Sequence, residues 1–553
     1  MVCKSCGNEI RDDAKFCPHC GAVSGAPAGA PYVPSGYAGP EAPVPGQGKG
    51  KKGLIIGGIA AVIVVAILAA VFASGLFSNP KKQVTAAFAK TAAAYSAVSD
   101  SIGLPDLNGL RKHQSISQRF SFELNSINSS LTGYDMSALS GLGVRMDTNL
   151  DGESRKLDAS LSAYWGGDDL LSFRLLADGS KLYLSSPQFT DGTAYGVNTE
   201  TLGADLEAMT GDSSVADISF NIFDLMDLAM EQMDPEAMKQ ELKEANKALW
   251  EAAEVKKLGA KSLSVNGTET KTSAYQVVFP QDALYQYVDE LETVLSAVDY
   301  YELYAQLFQA TGMPQEEIQD FLDQLEELDV YGELADSLRD VVEQLGDVHL
   351  TVHVGGGYVS ALVYESYLDN GRDSFLSLSL FLGGGEEYVD NLRLELKVDD
   401  QLIIVDSTGD HGGKSGVFTD KTVIKGPIPA ITSDLQYDPK GGGLQWNLSV
   451  NGAGSLDMMG QLSMGEDSVD LQMDDIALRV MGLEVCSFGM DYYMGPCQGV
   501  DLTGASPKLI TEMNMFELMV LASDLENRAT TWADSMESLF AQRLPAELYY
   551  SLF

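Results

Sequence analysis

Period-two alternation of apolar and polar residues runs through most of this chain, with one helical section in the middle. Val84, Ala87, Phe88, Tyr95 and Val98 fall near one face and predict a helix. Alternation follows. Ile116, Phe120, Phe122 and Leu124 point one way, then Leu157, Ala159, Leu161, Ala163 and Trp165, then Leu171, Phe173 and Leu175. Asp178-Gly179 turns the chain into Leu182 and Leu184. Alternation on one face with such turns predicts an antiparallel meander, one side buried and one side wet. The middle reads as helix over 218–233 and 235–257. A short strand at Tyr275–Phe279 precedes helices over 281–310 and Pro314–Leu345. Leu284, Val288, Leu291, Leu295 and Val298 stripe the first of these, and Ile318, Phe321, Leu322, Leu325 and Leu328 the second. Pro314 suits a first helical turn and Gly346 the stop.

Strands return after Asp347: Leu376, Leu378, Leu380 and Leu382; Leu392, Leu394, Leu396 and Val398; Leu444, Trp446, Leu448 and Val450. Glycine clusters at 355–357, 383–385 and 441–443 punctuate hairpins; none opens a helix with a Lys-Ser/Thr partner as a nucleotide loop would. A last amphipathic helix includes Phe516, Met519, Val520 and Leu525. Residues 83–553 are therefore expected to be an α+β region of twisted antiparallel sheet(s) with packed helices. Either two sheet regions flank a helical insert, with a possible subdivision at 83–280 and 281–553, or one long curved sheet is crossed by helices.

One stretch breaks the pattern. Leu54–Phe77 is apolar on every face and carries no charge. As a helix it is roughly 36 Å long, enough for a hydrocarbon core of about 30 Å. It begins too far into the chain for a cleaved signal peptide, so an uncleaved transmembrane helix over 54–77 is expected. Small residues four apart, Gly53 with Gly57 and Ala66 with Ala70, are the spacing of a helix-pairing face as well as a feature of any Ala-rich span.

Charge sharpens the division. The 553 residues carry a net charge of −43. Residues 1–80 are slightly basic, so the whole deficit lies in the body. Such a body repels nucleic acid and anionic surfaces and attracts cations or basic partners; solvated acidic helix faces account for most of it. Residues 22–53 form a Pro/Gly-rich linker ending in Lys49, Lys51 and Lys52, a composition that buries no core. Its Tyr32 and Tyr37 read as solvated linker tyrosines.

The first 21 residues hold the clearest chemistry. Cys3-x2-Cys6 and Cys17-x2-Cys20 each precede a glycine, Gly7 and Gly21. Two thiolates three positions apart grip one ion from a tight turn that the glycine closes, and two such knuckles supply four sulfurs to a tetrahedral structural zinc. Iron in a similar four-sulfur site is the alternative, and His19 reads as a spectator. With all four positions taken by sulfur, no place remains for a catalytic water. This head resembles the short zinc ribbon of single-pass membrane proteins of Gram-positive bacteria, ordered as ribbon, Pro/Gly linker, membrane helix and extracytoplasmic domain. The resemblance covers residues 1 to about 82 and implies a cytoplasmic ribbon that docks an unknown protein partner. Four persistent thiols agree with a reducing compartment. The expected location is thus the cell membrane, N-terminus cytoplasmic and body outside. The layout of the body loosely resembles lipoprotein-carrier half-barrels, which implies an apolar groove for a lipid tail or a peptide.

Other candidates are weaker. Asp147-x-Asn149-x-Asp151-Gly152 opens like a calcium loop, but Asp158 stands at the twelfth position and strands flank it, so a hairpin turn is expected. His349 and His353 lie about 13 Å apart on a strand, too far for one ion. Asp410, His411 and Ser415 share a Gly-rich loop without a nucleophile elbow, and His113 has no visible partner. Cys486 and Cys497 either pair in one disulfide or stay free. The expected function is a non-enzymatic, membrane-anchored envelope protein with an extracytoplasmic binding domain. The alternatives are a lipid or lipoprotein carrier and, last, an extracytoplasmic hydrolase.

Overall fold

The structure is a computed structural model. It describes residues 80–103, 115–129, 135–216, 218–232, 235–296, 304–305, 308, 315–328, 330–368, 374–411, 415–502 and 507–552. Contacts divide the chain into Met1–Lys52 and Gly53–Phe553, and every described residue belongs to the second unit. The predicted ribbon (1–21), linker (22–53) and apolar helix (54–77) lie outside the described residues, as do His113, Tyr32 and Tyr37.

Helix α1 (Lys81–Ile102) leads into strands β1 (Ser115–Ile127), β2 (Leu142–Asp151), β3 (Lys156–Trp165), β4 (Asp168–Asp178) and β5 (Lys181–Ser185). A single helical turn, α2 (Pro187–Thr190), separates β5 from β6 (Tyr195–Asn198). Helices α3 (Leu202–Thr210), α4 (Ile222–Gln232) and α5 (Pro235–Ala252) precede the hairpin of β7 (Glu254–Val265) and β8 (Thr268–Phe279). Helices α6 (Gln281–Ser296), α7 (Gln315–Leu328) and α8 (Val330–Leu345) follow. A long meander then runs through β9 (Val348–Gly355), β10 (Tyr358–Leu368), β11 (Ser374–Leu382), β12 (Asn391–Val398), β13 (Gln401–Thr408) and β14 (Phe418–Lys425). It continues through β15 (Ile431–Tyr437), β16 (Gly443–Val450), β17 (Gly454–Met464), β18 (Val469–Val480) and β19 (Leu483–Gly495). The chain closes with β20 (Lys508–Leu509), α9 (Met515–Arg543) and α10 (Ala546–Leu552).

All 20 described strands belong to one sheet. Two meanders meet in it: β7 through β19 pair in sequence order, β1 pairs with β19, and β1 through β6 follow. Every pairing is antiparallel except β6–β20. Because side chains alternate with period two, the register carries one apolar face through the sheet. Tyr275 meets Val352, Leu378 meets Leu396, Trp446 meets Met458, Phe122 meets Met490, and Leu161 meets Phe173. The turns behave as read. Gly356 and Gly357 sit at φ +60° and +86° between β9 and β10, the left-handed geometry a two-residue hairpin needs.

The main core lies where helices cover β8–β12. Val84, Ala87 and Phe88 of α1, Leu249 and Trp250 of α5, Leu284 and Val288 of α6, and Val342 of α8 pack on Val277, Leu350, Leu362 and Leu376. The Trp250 indole donates to the Thr85 hydroxyl at 3.2 Å, so its polar edge is satisfied inside that core. A second, smaller cap lies at the other end of the sheet. Trp165, Leu170 and Leu544 are buried with Met536, Leu539 and Phe540 of α9 against them. Trp165 donates to Ala138 O at 3.0 Å, and Trp532 of α9 to Leu170 O at 2.7 Å.

Three expectations are corrected. The α+β fold class with a transmembrane helix gives way to a sheet-dominated body. The alternation that appeared as separate strand groups belongs to one 20-stranded sheet, and the helices are caps laid on it. Residues 254–257, expected to end the helix over 235–257, instead open strand β7, because Val255, Leu263 and Val265 pair with β8 once the helix stops at Ala252. The single-pass cell-membrane location is likewise unsupported: no helix among the described residues is long and apolar enough to cross a membrane. The longest, α9, spans 29 residues and is broken up by charges such as Glu517, Asp524, Glu526 and Arg528.

Candidate functional site

The apolar face is not covered evenly. Between the two helical caps it is open on β2–β5, and strand register puts the open residues side by side. Met146 of β2 faces Leu161 of β3, Leu161 faces Phe173 of β4, Leu175 faces Leu184 of β5, and Leu184 faces Tyr195 of β6. Leu161 is 54% exposed and Leu184 50%, with Val144, Met146 and Leu175 also well exposed. At about 4.8 Å per strand, the track from Tyr195 to Met146 is about 19 Å long. Scattered apolar residues on a surface are ordinary; a contiguous row across five strands marks an interaction site.

At its β6 end the track runs under α9 into a cavity of about 500 Å³. Phe173, Leu184 and Tyr195 form its floor, Phe189 of α2 and Ile510 its sides, and Leu521 and Leu525 of α9 its roof. The helix is held over this space from both ends. Asn514 and Glu517 form a reciprocal capping box at its start, the Asn514 side chain accepting from Glu517 N at 3.0 Å and the Glu517 carboxylate from Asn514 N at 2.8 Å. Near its end, Arg543 binds Asp168 and lies over the Trp165 ring. In between, Trp532 stacks edge-on to Phe189, which packs against Phe173. The N-terminal turns of α9 meanwhile leave Met515, Phe516 and Met519 in solvent beside the cavity.

Two cations stand at this end. Lys508 of β20, paired with Tyr195, reaches over the Tyr195 ring at 5.9 Å. Arg528, between the cavity residues Leu525 and Ala529, makes a loose exposed pair with Asp191 at 3.4 Å. The acidic neighbours are Asp191 and Glu512. Burial, with the charges of Asp178 and Glu512 added, raises the Tyr183 phenol on the opposite face.

The residues singled out in the sequence take other roles. Asp147, Asn149 and Asp151 form no cation loop. Asp147 pairs with Arg119 at 3.1 Å, Asn149 accepts from Ser117 at 2.6 Å, and Asp151 caps the β2–β3 turn through Ser154 N. His349 is exposed on β9. His353 is buried against Thr272 at 3.1 Å, and burial, aided by Lys261, lowers its pKa. Asp410 accepts from Ser415 N at 2.9 Å, and the Ser415 hydroxyl donates to Val417 O, so neither addresses His411. His411 instead bridges Val389 O at 2.7 Å and Asp420 at 2.8 Å and stacks on Phe418. Ser407 and Thr422 also donate to Asp420, which leaves a hydroxyl, an imidazole and a carboxylate together without a nucleophile aimed at its base.

Cys486 and Cys497 are both free. Cys486 lies opposite Ile127, whereas the Cys497 amide meets Ser115 O, so they stand at opposite ends of β1, about 40 Å apart by strand rise. Among the described residues no group of three or more His, Cys, Asp or Glu side chains is placed to hold a metal. Cys3, Cys6, Cys17 and Cys20 lie outside the described residues.

Sequence reasoning found the floor of the cavity, Phe173 and Leu184, as ordinary strand positions. It missed Ile510, Leu521, Lys508 and Arg528, because only the fold brings the last helix back over β4–β6.

Compared with known proteins, residues 2–23 match the zinc-ribbon domain family, which supports zinc binding by this segment. No curated protein and no solved structure matches the chain.

Proposed function

We propose that this protein is a non-enzymatic binding protein with two working parts. The zinc ribbon docks a protein partner, and the sheet body receives a molecule bearing a long apolar chain. In the ribbon, Cys3, Cys6, Cys17 and Cys20 hold the zinc. Four thiolates in two tight pairs suit a tetrahedral ion, and a segment of this length cannot build a core, so the metal supplies its folding energy. The body acts as a carrier or holder.

The observation that carries this reading is the open apolar track on β2–β5 that continues into the cavity beneath α9. Its volume lies within the span of about 300–1,000 Å³ typical of ligand pockets. An apolar chain is favoured over a peptide: the walls offer few hydrogen-bond partners, and a peptide buried there would leave its own amides unpaired. His411 supports the non-enzymatic assignment, because both of its ring nitrogens are occupied by acceptors.

The test is native mass spectrometry of the full chain purified from its own host, together with displacement of a fluorescent fatty-acid probe. An added mass that leaves on delipidation, and saturable probe binding, are expected. A clean apo mass with no probe binding would overturn the carrier assignment. For the ribbon, Cys6→Ser should lose a crosslinked partner that the unmodified chain retains; equal recovery by both would remove the docking role.

A further inference from the structure

We infer that the cargo is a single-chain amphiphile with an anionic head, held head-first at the β6–β20 end of the track by Lys508 and Arg528, with its tail lying toward Leu161 and Met146. This rests on the proposed carriage of an apolar chain and adds to it the head-group charge and the orientation.

Three observations carry the inference. First, the cavity is apolar nearly throughout. Phe173, Leu184, Leu521 and Leu525 line it, and the Thr190 and Ser186 hydroxyls are turned onto Ser186 O and Gln188. The sheet beyond, through Leu161 and Met146, is apolar as well. An amphiphile therefore lays its tail along this track and can match its head only at the margin of the β6–β20 end, where charged side chains stand.

Second, that same end carries the cations, in a chain whose net charge is −43. Lys508 lies over the ring of a cavity residue, and no carboxylate among the described residues pairs with it. Arg528 leaves α9 between two cavity residues. Its tie to Asp191 is long, and the two side chains are 41% and 79% exposed, so the pair is weak and open to exchange for a better anion. A guanidinium and an ammonium together match a carboxylate or a phosphate monoester.

Third, Asp191 limits the head to something small. It follows the cavity residue Thr190 and pairs with Arg528. A bulky polyanion at Arg528 would meet it, whereas a compact head need not.

The test uses the full chain and three probes of equal chain length: a fatty acid, the corresponding alkyl phosphate and the neutral methyl ester. Calorimetric titration at low salt should show the two anions binding about tenfold more tightly than the ester, the scale of one hydrogen bond to a charged group. Lys508→Ala and Arg528→Ala should each remove most of that preference and leave ester affinity unchanged; Lys508→Arg should restore it. The preference should shrink as salt rises. A fatty acid favoured over the phosphate, or the reverse, identifies the source of the anion, and either result supports the inference. Equal affinity for acid, phosphate and ester in the unmodified chain would overturn the head assignment while leaving the apolar track standing. Failure of all three probes to bind would instead overturn the carrier reading itself. To fix direction, a fatty acid with a nitroxide near its carboxyl end should quench Trp532 fluorescence more than one labelled at the tail. The opposite order would reverse the orientation.

Discussion

Replacing His411 by glutamine should cost stability in a pH-dependent way whose sign is set by the geometry. His411 joins the β13–β14 connection to Val389, and both of its ring nitrogens face acceptors: a backbone carbonyl at 2.7 Å and the Asp420 carboxylate at 2.8 Å. Both must therefore donate, so the folded state holds an imidazolium. Burial alone would lower its pKa. The Asp420 hydrogen bond, the Val389 carbonyl and the charges of Asp420 and Asp390 together outweigh burial and raise it. Burial likewise pushes Asp420 up, but donors from His411, Ser407 and Thr422 bring it below the ordinary carboxylate range. A raised histidine contributes fully below its unfolded value of about 6.5 and loses that contribution as pH climbs through the folded value. A lowered aspartate contributes above about 3.9 and loses it as pH falls through its folded value. The pair is thus most stabilising between about pH 4 and pH 6.5.

Two hydrogen bonds to charged groups, with side chains only 11% and 19% exposed, put the cost of His411→Gln at about 2–4 kcal/mol in that window. Urea unfolding of both proteins, monitored by a probe of the β13–β15 region, gives the difference at about pH 6 and about pH 9. The wild-type advantage should shrink at the higher pH. A difference that stays flat or grows toward alkaline pH would show that the folded imidazole is neutral and that the bridging geometry is not charge-assisted.

Three further outcomes follow from other parts of the fold. Trp165→Ala should cost about 3–5 kcal/mol, because a 1%-exposed indole that anchors Phe540 is removed; urea unfolding checks the loss, and limited proteolysis should release the segment beyond Met515. The purified chain should carry about one zinc, and Cys17→Ser should lose it, as read by elemental mass spectrometry; a metal-free wild type would exclude the ribbon ligand set. Cys486 and Cys497 should both be alkylated as free thiols after non-reducing denaturation, with Cys486 slow to react in the folded state because burial, then Glu484, raises its pKa; a linked peptide pair in the mass spectrum would contradict the strand register.

The sheet was legible because alternation is a local signal. Leu376, Leu378, Leu380 and Leu382 announce one face of β11 without any knowledge of β10 or β12. The helices at 81–102 and 515–543 were legible for the same reason, at period 3.6. What alternation does not encode is which strand group meets which. Nothing in Phe122 says that its neighbour will be Met490, and that pairing is what turns two meanders into one sheet. Strand β7 was hidden by Lys256, Lys257 and Lys261, whose charge continued the look of a solvated helix. The cavity was hidden most deeply, because Leu525 and Leu184 are more than three hundred residues apart and meet only after the sheet has formed. In the head, by contrast, the local CxxC motif was enough to point to the zinc-ribbon family that residues 2–23 match.

The way the sheet treats its margins bears on the open track. A sheet of 20 strands has two edges, each a template for unwanted pairing. Among the described residues strand β7 pairs with β8 alone, and it is guarded by Lys256, Lys257 and Lys261 and by a bulge at Lys257–Gly259. Strand β20 closes the other edge with two residues, too short to recruit a partner. Both devices cost regular pairing and serve to keep other chains away. The apolar track on β2–β5 receives no comparable protection: no lysine stands among Val144, Met146, Leu161, Leu175 and Leu184, and none of the five is buried. Substituting Leu161→Glu there should therefore leave folding nearly unchanged, because the side chain is 54% exposed, while sharply reducing binding of the fluorescent fatty-acid probe. An intact fold with probe binding unchanged would refute the track as the cargo site, and loss of the fold itself would mean that the row is structural packing. An intact fold with binding lost would mean that the row is held open for cargo.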